Sequence, residues 1–133
     1  MTSLRVLVID DLASMRRTLQ RALEHEGYEV LTAADGDEAS DILHETDVDV
    51  VLMDLRMPKM SGRTLYQLIR SQWPDLARRV VVMSGDPDSG EYKDWLALHD
   101  LPVLAKPFRL DDMRRIVTML AERRTPDVRD NHA

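Results

Sequence analysis

Cysteine is absent from the 133-residue chain. Disulfides, thiolate zinc sites and a cysteine nucleophile are therefore excluded. A basic excess is also missing: the formal net charge is −6. With no surplus of cations to neutralise phosphates, a direct nucleic-acid partner is not expected. The start, Met-Thr-Ser-Leu-Arg, has no long apolar stretch, so no signal peptide is expected. The longest apolar runs, such as Val50 to Met53, are far too short to cross a bilayer. Repeats and low-complexity segments are absent as well. A soluble, cytoplasmic protein without a membrane partner is the expectation, and its acidic balance suits the binding of a cation.

What is present fits one α/β domain. Hydrophobic residues make up 44% of the chain, enough for a core, and 32% are charged, enough for a solvated surface. Five short apolar runs stand out: Leu4 to Ile9, Tyr28 to Ala33, Val48 to Met53, Val80 to Met83 and Leu101 to Ala105. They are continuous rather than alternating, which predicts strands covered on both faces, as in a parallel sheet. Helical spacing fills the gaps. Met15, Leu19, Ala22 and Leu23 mark a first helix with Gly27 as its stop. Ala39, Ile42 and Leu43 mark a second after Asp35-Gly36, and Leu65, Leu68 and Ile69 a third with Ser61 as its cap. A weaker fourth covers Glu91 to Leu98, and Met113, Ile116, Val117 and Leu120 mark a fifth. Strand–helix alternation five times over predicts a mainly parallel sheet. The domain is expected over residues 1–124, with 125–133, polar and aperiodic, as a flexible tail.

In an open parallel sheet, ligands sit at the carboxyl ends of the strands. Here those ends carry Asp10-Asp11, Asp54, Ser84-Gly85 and Lys106-Pro107. Three clustered carboxylates repel one another, and a divalent cation relieves that repulsion. An oxygen-only ligand set points to Mg²⁺, Mn²⁺ or Ca²⁺ rather than zinc. Lys106 offers a compact charge that could hold a phosphoryl oxygen opposite the metal. Ser84 and a backbone N–H beside Gly85 could complete the cradle, and one carboxylate could act as nucleophile to form an acyl phosphate. Each residue also has an ordinary reading: Asp11 as a helix cap, Asp54 as the start of a turn to Pro58, Ser84-Gly85 as a turn pair, Lys106 as a solvated side chain. It is the convergence of all of them on one sheet edge that favours chemistry.

With those residues in place, the sequence closely resembles the receiver domain of two-component response regulators. The resemblance runs from about Leu4 to Arg123. It rests on Val6-Leu7-Val8-Ile9-Asp10-Asp11, on Met53-Asp54-Leu55-Arg56-Met57-Pro58-Lys59-Met60-Ser61-Gly62, on Val82-Met83-Ser84-Gly85 and on Ala105-Lys106-Pro107-Phe108. It implies a flavodoxin-like doubly wound sheet of five parallel strands, order 2-1-3-4-5, with five helices. It implies Asp54 as phosphoacceptor, with Mg²⁺ held by Asp11, Asp54 and the main-chain carbonyl of Arg56, and by Asp10 through water. Ser84, Lys106 and the backbone N–H groups of Arg56 and Gly85 would contact the phosphoryl group, and the Lys106–Pro107 bond would be cis. The donor would be a phosphohistidine on a histidine kinase or histidine phosphotransfer protein. The readout would be contact with a downstream protein target, by a monomer or weak dimer. Such a domain is a regulator that assists its own phosphorylation and dephosphorylation, not an enzyme.

Some positions depart from the family pattern. Val103 stands where the family usually carries an aromatic ring that turns inward, so the signal is expected to spread by loop and fourth-helix movement instead. The segment from Gly85 to Asp100 is charged and carries Trp95, expected in the core, with a partner surface as the alternative. Arg56 and Asp86 flank the site and could pair across its mouth. Met15 is expected in the core, Arg16 and Arg17 on a solvated face, and His25, His44, His99 and His132 on the surface. Three other readings compete. A haloacid-dehalogenase-type phosphohydrolase needs Asp-x-Asp after the first strand, whereas Asp10-Asp11 is followed by Leu12-Ala13. A pseudo-receiver that only binds is disfavoured by the intact set Asp11, Asp54, Ser84 and Lys106. A receiver domain excised from a hybrid histidine kinase fits the same motifs.

Overall fold

A computed structural model of the chain describes residues 3–124. The expected strands form, with ends that differ by one or two residues. They are β1 (Arg5–Ile9), β2 (Glu29–Ala33), β3 (Val50–Asp54), β4 (Val80–Ser84) and β5 (Val103–Ala105). Between and after them lie α1 (Ala13–His25), α2 (Gly36–Glu45), α3 (Gly62–Gln72), α4 (Gly90–His99) and α5 (Leu110–Ala121). A short 3₁₀ turn, Leu76–Arg79, precedes β4 and was not legible from periodicity. β5 starts only at Val103 because Pro102, lacking an N–H, cannot donate to the ladder. The expected tail, 125–133, lies outside the described residues.

All five strands are parallel, in the order β2-β1-β3-β4-β5. Successive residues of a strand face opposite sides of a sheet, so each apolar run feeds two cores. Leu7, Ile9, Val51, Met53 and Val82 point into one, closed by Leu43 of α2, Leu65 and Ile69 of α3 and Leu96 of α4. Val6, Val8, Leu52, Val81 and Met83 point into the other, closed by Leu19 and Leu23 of α1 and Met113 and Val117 of α5. The helix boundaries follow sequence chemistry. Gly27 leaves α1 with φ of +96°, a left-handed conformation that favours glycine. The Asp35 side chain accepts from the Glu38 N–H at 2.8 Å and caps α2, and Ser61 accepts from the Thr64 N–H at 3.2 Å and caps α3.

Two expectations about packing need correction. His99 is half-buried, edge-on to Tyr66 and Trp95 with ring centroids 5.2 Å away in each case. It is not a plain surface residue, because at the last position of α4, four residues after Trp95, its ring lies at the α3–α4 seam. Trp95 is only partly buried: it packs on the core, edge-on to Tyr66 at 5.6 Å, while the Arg63 guanidinium lies 5.8 Å over its ring. His25 and His44 are exposed as expected, and His132 lies outside the described residues.

Candidate functional site

The carboxyl ends of β1, β3, β4 and β5 meet at one edge, and backbone hydrogen bonds carry the sheet one residue further there. The Asp10 N–H donates to the Ala33 carbonyl at 3.2 Å, the Leu55 N–H to the Met83 carbonyl at 3.0 Å and the Lys106 N–H to the Ser84 carbonyl at 2.7 Å. Asp10 is therefore fully buried, Asp54 and Ser84 nearly so, and Asp11 is exposed at the rim. One oxygen from each of Asp10, Asp11 and Asp54 lies within 4.8 Å of the others. From the opposite side the Lys106 Nζ donates to Asp10 Oδ2 at 2.9 Å and to Asp54 Oδ2 at 3.2 Å. The Lys106–Pro107 peptide is cis.

The remaining lone pairs are met by backbone. Asp10 Oδ1 accepts from the Leu12 N–H at 2.9 Å, and Asp54 Oδ1 from the Arg56 N–H at 3.2 Å. Ser84 Oγ accepts from the Asp86 N–H at 3.1 Å, while Gly85 lies exposed beside it. One ammonium cannot balance three carboxylates, so the donor set fits a divalent cation bound through oxygen. Burial pushes the Asp54 carboxyl above its ordinary value of 3.8; Lys106 and the Arg56 N–H pull it down without cancelling that, and the Asp10 charge adds to the rise. Burial alone would lower Lys106, but its hydrogen bond to Asp10 and the charges of Asp54 and Asp10 outweigh it and hold the ammonium above its ordinary value.

These shifts carry a sign for stability. A carboxyl with a raised native pKa binds more protons folded than unfolded, so stability falls as pH climbs from 3.8 through the raised value. Ionised Asp54 therefore destabilises the fold at neutral pH in the presence of a chelator. Asp54→Asn is expected to unfold at higher urea concentration than the parent chain at pH 7, with the gap shrinking once the pH is below the ordinary carboxyl range. An equal or lower midpoint at pH 7 would refute this account.

The structure brings all the sequence-selected residues to this edge, and it removes two of the ordinary readings. Asp11 is not a helix cap: Leu12 occupies the cap position of α1 and no side chain caps that helix. Lys106 is not a solvated side chain, because both its carboxylate partners hold it inward. Three contacts were missed. Arg16, expected on a solvated face, donates from Nη1 to the Asp10 main-chain oxygen at 2.7 Å and braces the loop that carries both acids. Met15, by contrast, does pack against the α1–α5 core. Arg56 places its guanidinium 5.4 Å from the centre of the Tyr92 ring, linking the loop after Asp54 to α4. Gly62 lies so close to the end of β3 that a Cβ there would stand 2.8 Å from the Asp54 carbonyl oxygen. Arg56 and Gly62 both had a signal in the sequence, in the stretch from Met53 to Gly62, though neither contact was foreseen, and Arg16 had none.

The family model for the response regulator receiver domain matches residues 6–118. A response regulator, MprA of Mycolicibacterium vanbaalenii, is 33% identical over 92% of this chain and 52% of its own length. The chain thus spans about half the length of the curated relatives it matches. Among solved structures, the chemotaxis response regulator CheY4 of Vibrio cholerae is similar at 29% identity, TM-score 0.79, over 90% of this chain and 99% of that one. The response regulator TrrA of Thermotoga maritima, solved in complex with Mg²⁺-BeF, is similar at 28% identity, TM-score 0.73, over 88% of this chain and 98% of that one.

Proposed function

The chain belongs to the response regulator receiver family, and from that premise we propose that Asp54 accepts a phosphoryl group from a phosphohistidine on a histidine kinase or histidine phosphotransfer protein. In the transfer an Asp54 carboxylate oxygen bonds to phosphorus as the P–N bond breaks, and the imidazole leaves with the electron pair. Water later attacks the acyl phosphate, releasing inorganic phosphate and restoring the carboxylate. The observation that carries this reading is the Lys106 ammonium lying between Asp10 and Asp54 in a cluster of three carboxylates. Lys106 would exchange its Asp54 contact for a phosphoryl oxygen without leaving Asp10. Ser84 Oγ and the N–H groups of Arg56 and Gly85 would meet the other oxygens.

Asp11, Asp54 and the Arg56 carbonyl, with Asp10 through water, would hold Mg²⁺, which when bound supplies positive charge against the phosphoryl oxygens. The TrrA structure in complex with Mg²⁺-BeF supports that assignment by likeness. The role is regulatory: the product of the reaction is an altered surface for a downstream protein. Among the described residues no helix is long and apolar enough to cross a membrane. The test is incubation with acetyl phosphate and Mg²⁺ followed by intact mass. One phosphoryl group should be gained by the parent chain and none by Asp54→Asn; an adduct that survives the substitution would sink the assignment.

The way the signal spreads follows from Val103, which is partly buried against the α2–α4 core and has no ring to turn. The link from the loop after Asp54 to α4 would run instead through Arg56 on Tyr92, on the helix whose Trp95 and His99 meet Tyr66 of α3. Addition of Mg²⁺ with beryllium fluoride should change amide-exchange protection across residues 85–99. A change confined to the loop after Asp54 would dispose of this route.

A further inference from the structure

At the end of the sheet opposite the acidic edge, a cavity of about 650 Å³ opens between the C-terminal ends of α3 and α4, the 3₁₀ turn and the chain entering β5. Its lining gathers Arg70, Arg78, Arg123 and His99, from four separate stretches of sequence, around one carboxylate, Asp100. Arg78 is paired with Asp75 at 3.3 Å. Arg70 instead directs Nη1 at His99 Nδ1, 3.4 Å away, so that ring nitrogen is the acceptor and the ring is neutral. Burial and the Arg70 charge both press the His99 titration downward, consistent with that neutral form. Among the described residues neither Arg70 nor Arg123 forms an ion pair with a carboxylate. The lining also includes the apolar side chains of Pro74, Leu101 and Pro102.

Several guanidinium groups lining one cavity suit a phosphate better than a single carboxylate, since each can engage two oxygens of a group that carries up to two charges. The volume lies within the range of roughly 300–1,000 Å³ typical of small-molecule pockets, which pair an apolar wall with a few placed polar groups. We propose that this cavity binds a small nucleotide-like organic phosphate, with Arg70 and Arg123 taking the phosphoryl oxygens and Pro74, Leu101 and Pro102 taking the apolar body. The site is separate from the acceptor: the cavity is lined by Val80, where β4 begins, whereas the acidic edge lies beyond Ser84, where β4 ends.

The test is titration of the full chain, in buffer containing a chelator, with adenosine diphosphate, adenosine and inorganic phosphate, read by calorimetry and by amide NMR shifts. Adenosine diphosphate should bind saturably with Kd below about 1 mM, and shifts should concentrate at residues 70–80 and 99–102. Adenosine and inorganic phosphate should each bind at least about tenfold more weakly, a difference of roughly 1.4 kcal/mol. The exposed pair Arg70→Gln with Arg123→Gln should weaken binding by tenfold or more, and Asp54→Asn should leave it unchanged. If the double variant fails to give a folded amide spectrum, Arg123→Glu alone must show the same loss. Absence of saturable binding, shifts centred on the Asp54 edge, arginine variants that bind as well as the parent, or inorganic phosphate binding as tightly as the nucleotide would each overturn the proposal.

Discussion

Lys106→Met is expected to slow phosphorylation of Asp54 by two orders of magnitude or more while tightening Mg²⁺ binding by about tenfold. The two effects have opposite signs because the ammonium does two things. It donates to Asp10 and Asp54 at 2.9 and 3.2 Å, so it competes with any cation for the same carboxylate oxygens. Removing it should favour the metal by about 1–2 kcal/mol, given a nearby unit charge partly screened by solvent. It also stands ready to neutralise a phosphoryl oxygen. Losing one fixed charge or donor aimed at developing charge typically costs a factor of about 10²–10³. Methionine keeps most of the stem's bulk, so packing changes little. The measurement is a time course of acetyl phosphate labelling by intact mass, beside a calorimetric Mg²⁺ titration. Loss of both activities together would indicate a collapsed site rather than a missing charge, and an unchanged Mg²⁺ affinity would show that the ammonium does not compete.

Gly62→Ala should cost about 2–3 kcal/mol of folding stability, an overpacking effect. In an exposed first turn of a helix the same change would normally help, because alanine restricts the unfolded chain. Here the added Cβ would stand 2.8 Å from the Asp54 carbonyl oxygen, 2.9 Å from Leu55 Cα and 3.0 Å from the Leu55 carbonyl oxygen. All three are backbone atoms of the acceptor segment, and the Gly62 N–H itself donates to the Leu55 carbonyl at 3.0 Å. The clash can be relieved only by moving α3 or the acceptor strand. Gly36→Ala is the informative comparison, because its Cβ would meet Met60 side-chain atoms, Cβ at 2.7 Å, Sδ at 2.8 Å and Cγ at 2.9 Å, so relief there needs the loop that carries Met60 to shift but not a strand of the sheet. Urea unfolding of both variants tests the contrast: the Gly62 change should be the more damaging and should shift the Asp54 amide resonance. If the two variants unfold alike, the close approach at Gly62 is not what limits that position.

The fold was legible because a parallel sheet buried on both faces leaves a simple trace: short continuous apolar runs separated by helical spacing. The acidic site was legible for a related reason. Lys106 and Asp10 are 96 positions apart, and no local pattern joins them, but the rule that parallel strands end together does. Contacts that depend on where a long side chain turns were not legible. Arg16 reaching the Asp10 carbonyl and Arg56 lying over Tyr92 are choices of rotamer, invisible to periodicity. His99 looked like a surface residue because its contact with Tyr66 of α3 is made only by the fold, although its contact with Trp95 sits at the helical i, i+4 spacing. The cationic cavity drew on residues from Arg70 to Arg123, and only the folded chain brings them together.

The shortness of β5 has a consequence for how this protein survives at high concentration. β5 is an edge of the sheet, and an edge strand offers unpaired amides that invite a second chain to add on. Only three residues are available here, and prolines at 102 and 107 bracket them. Neither proline can donate a hydrogen bond, so an invading strand would find too few consecutive partners to grow a ladder. The edge beside Lys106 is thereby protected against aggregation by local chemistry, without needing another segment to cover it.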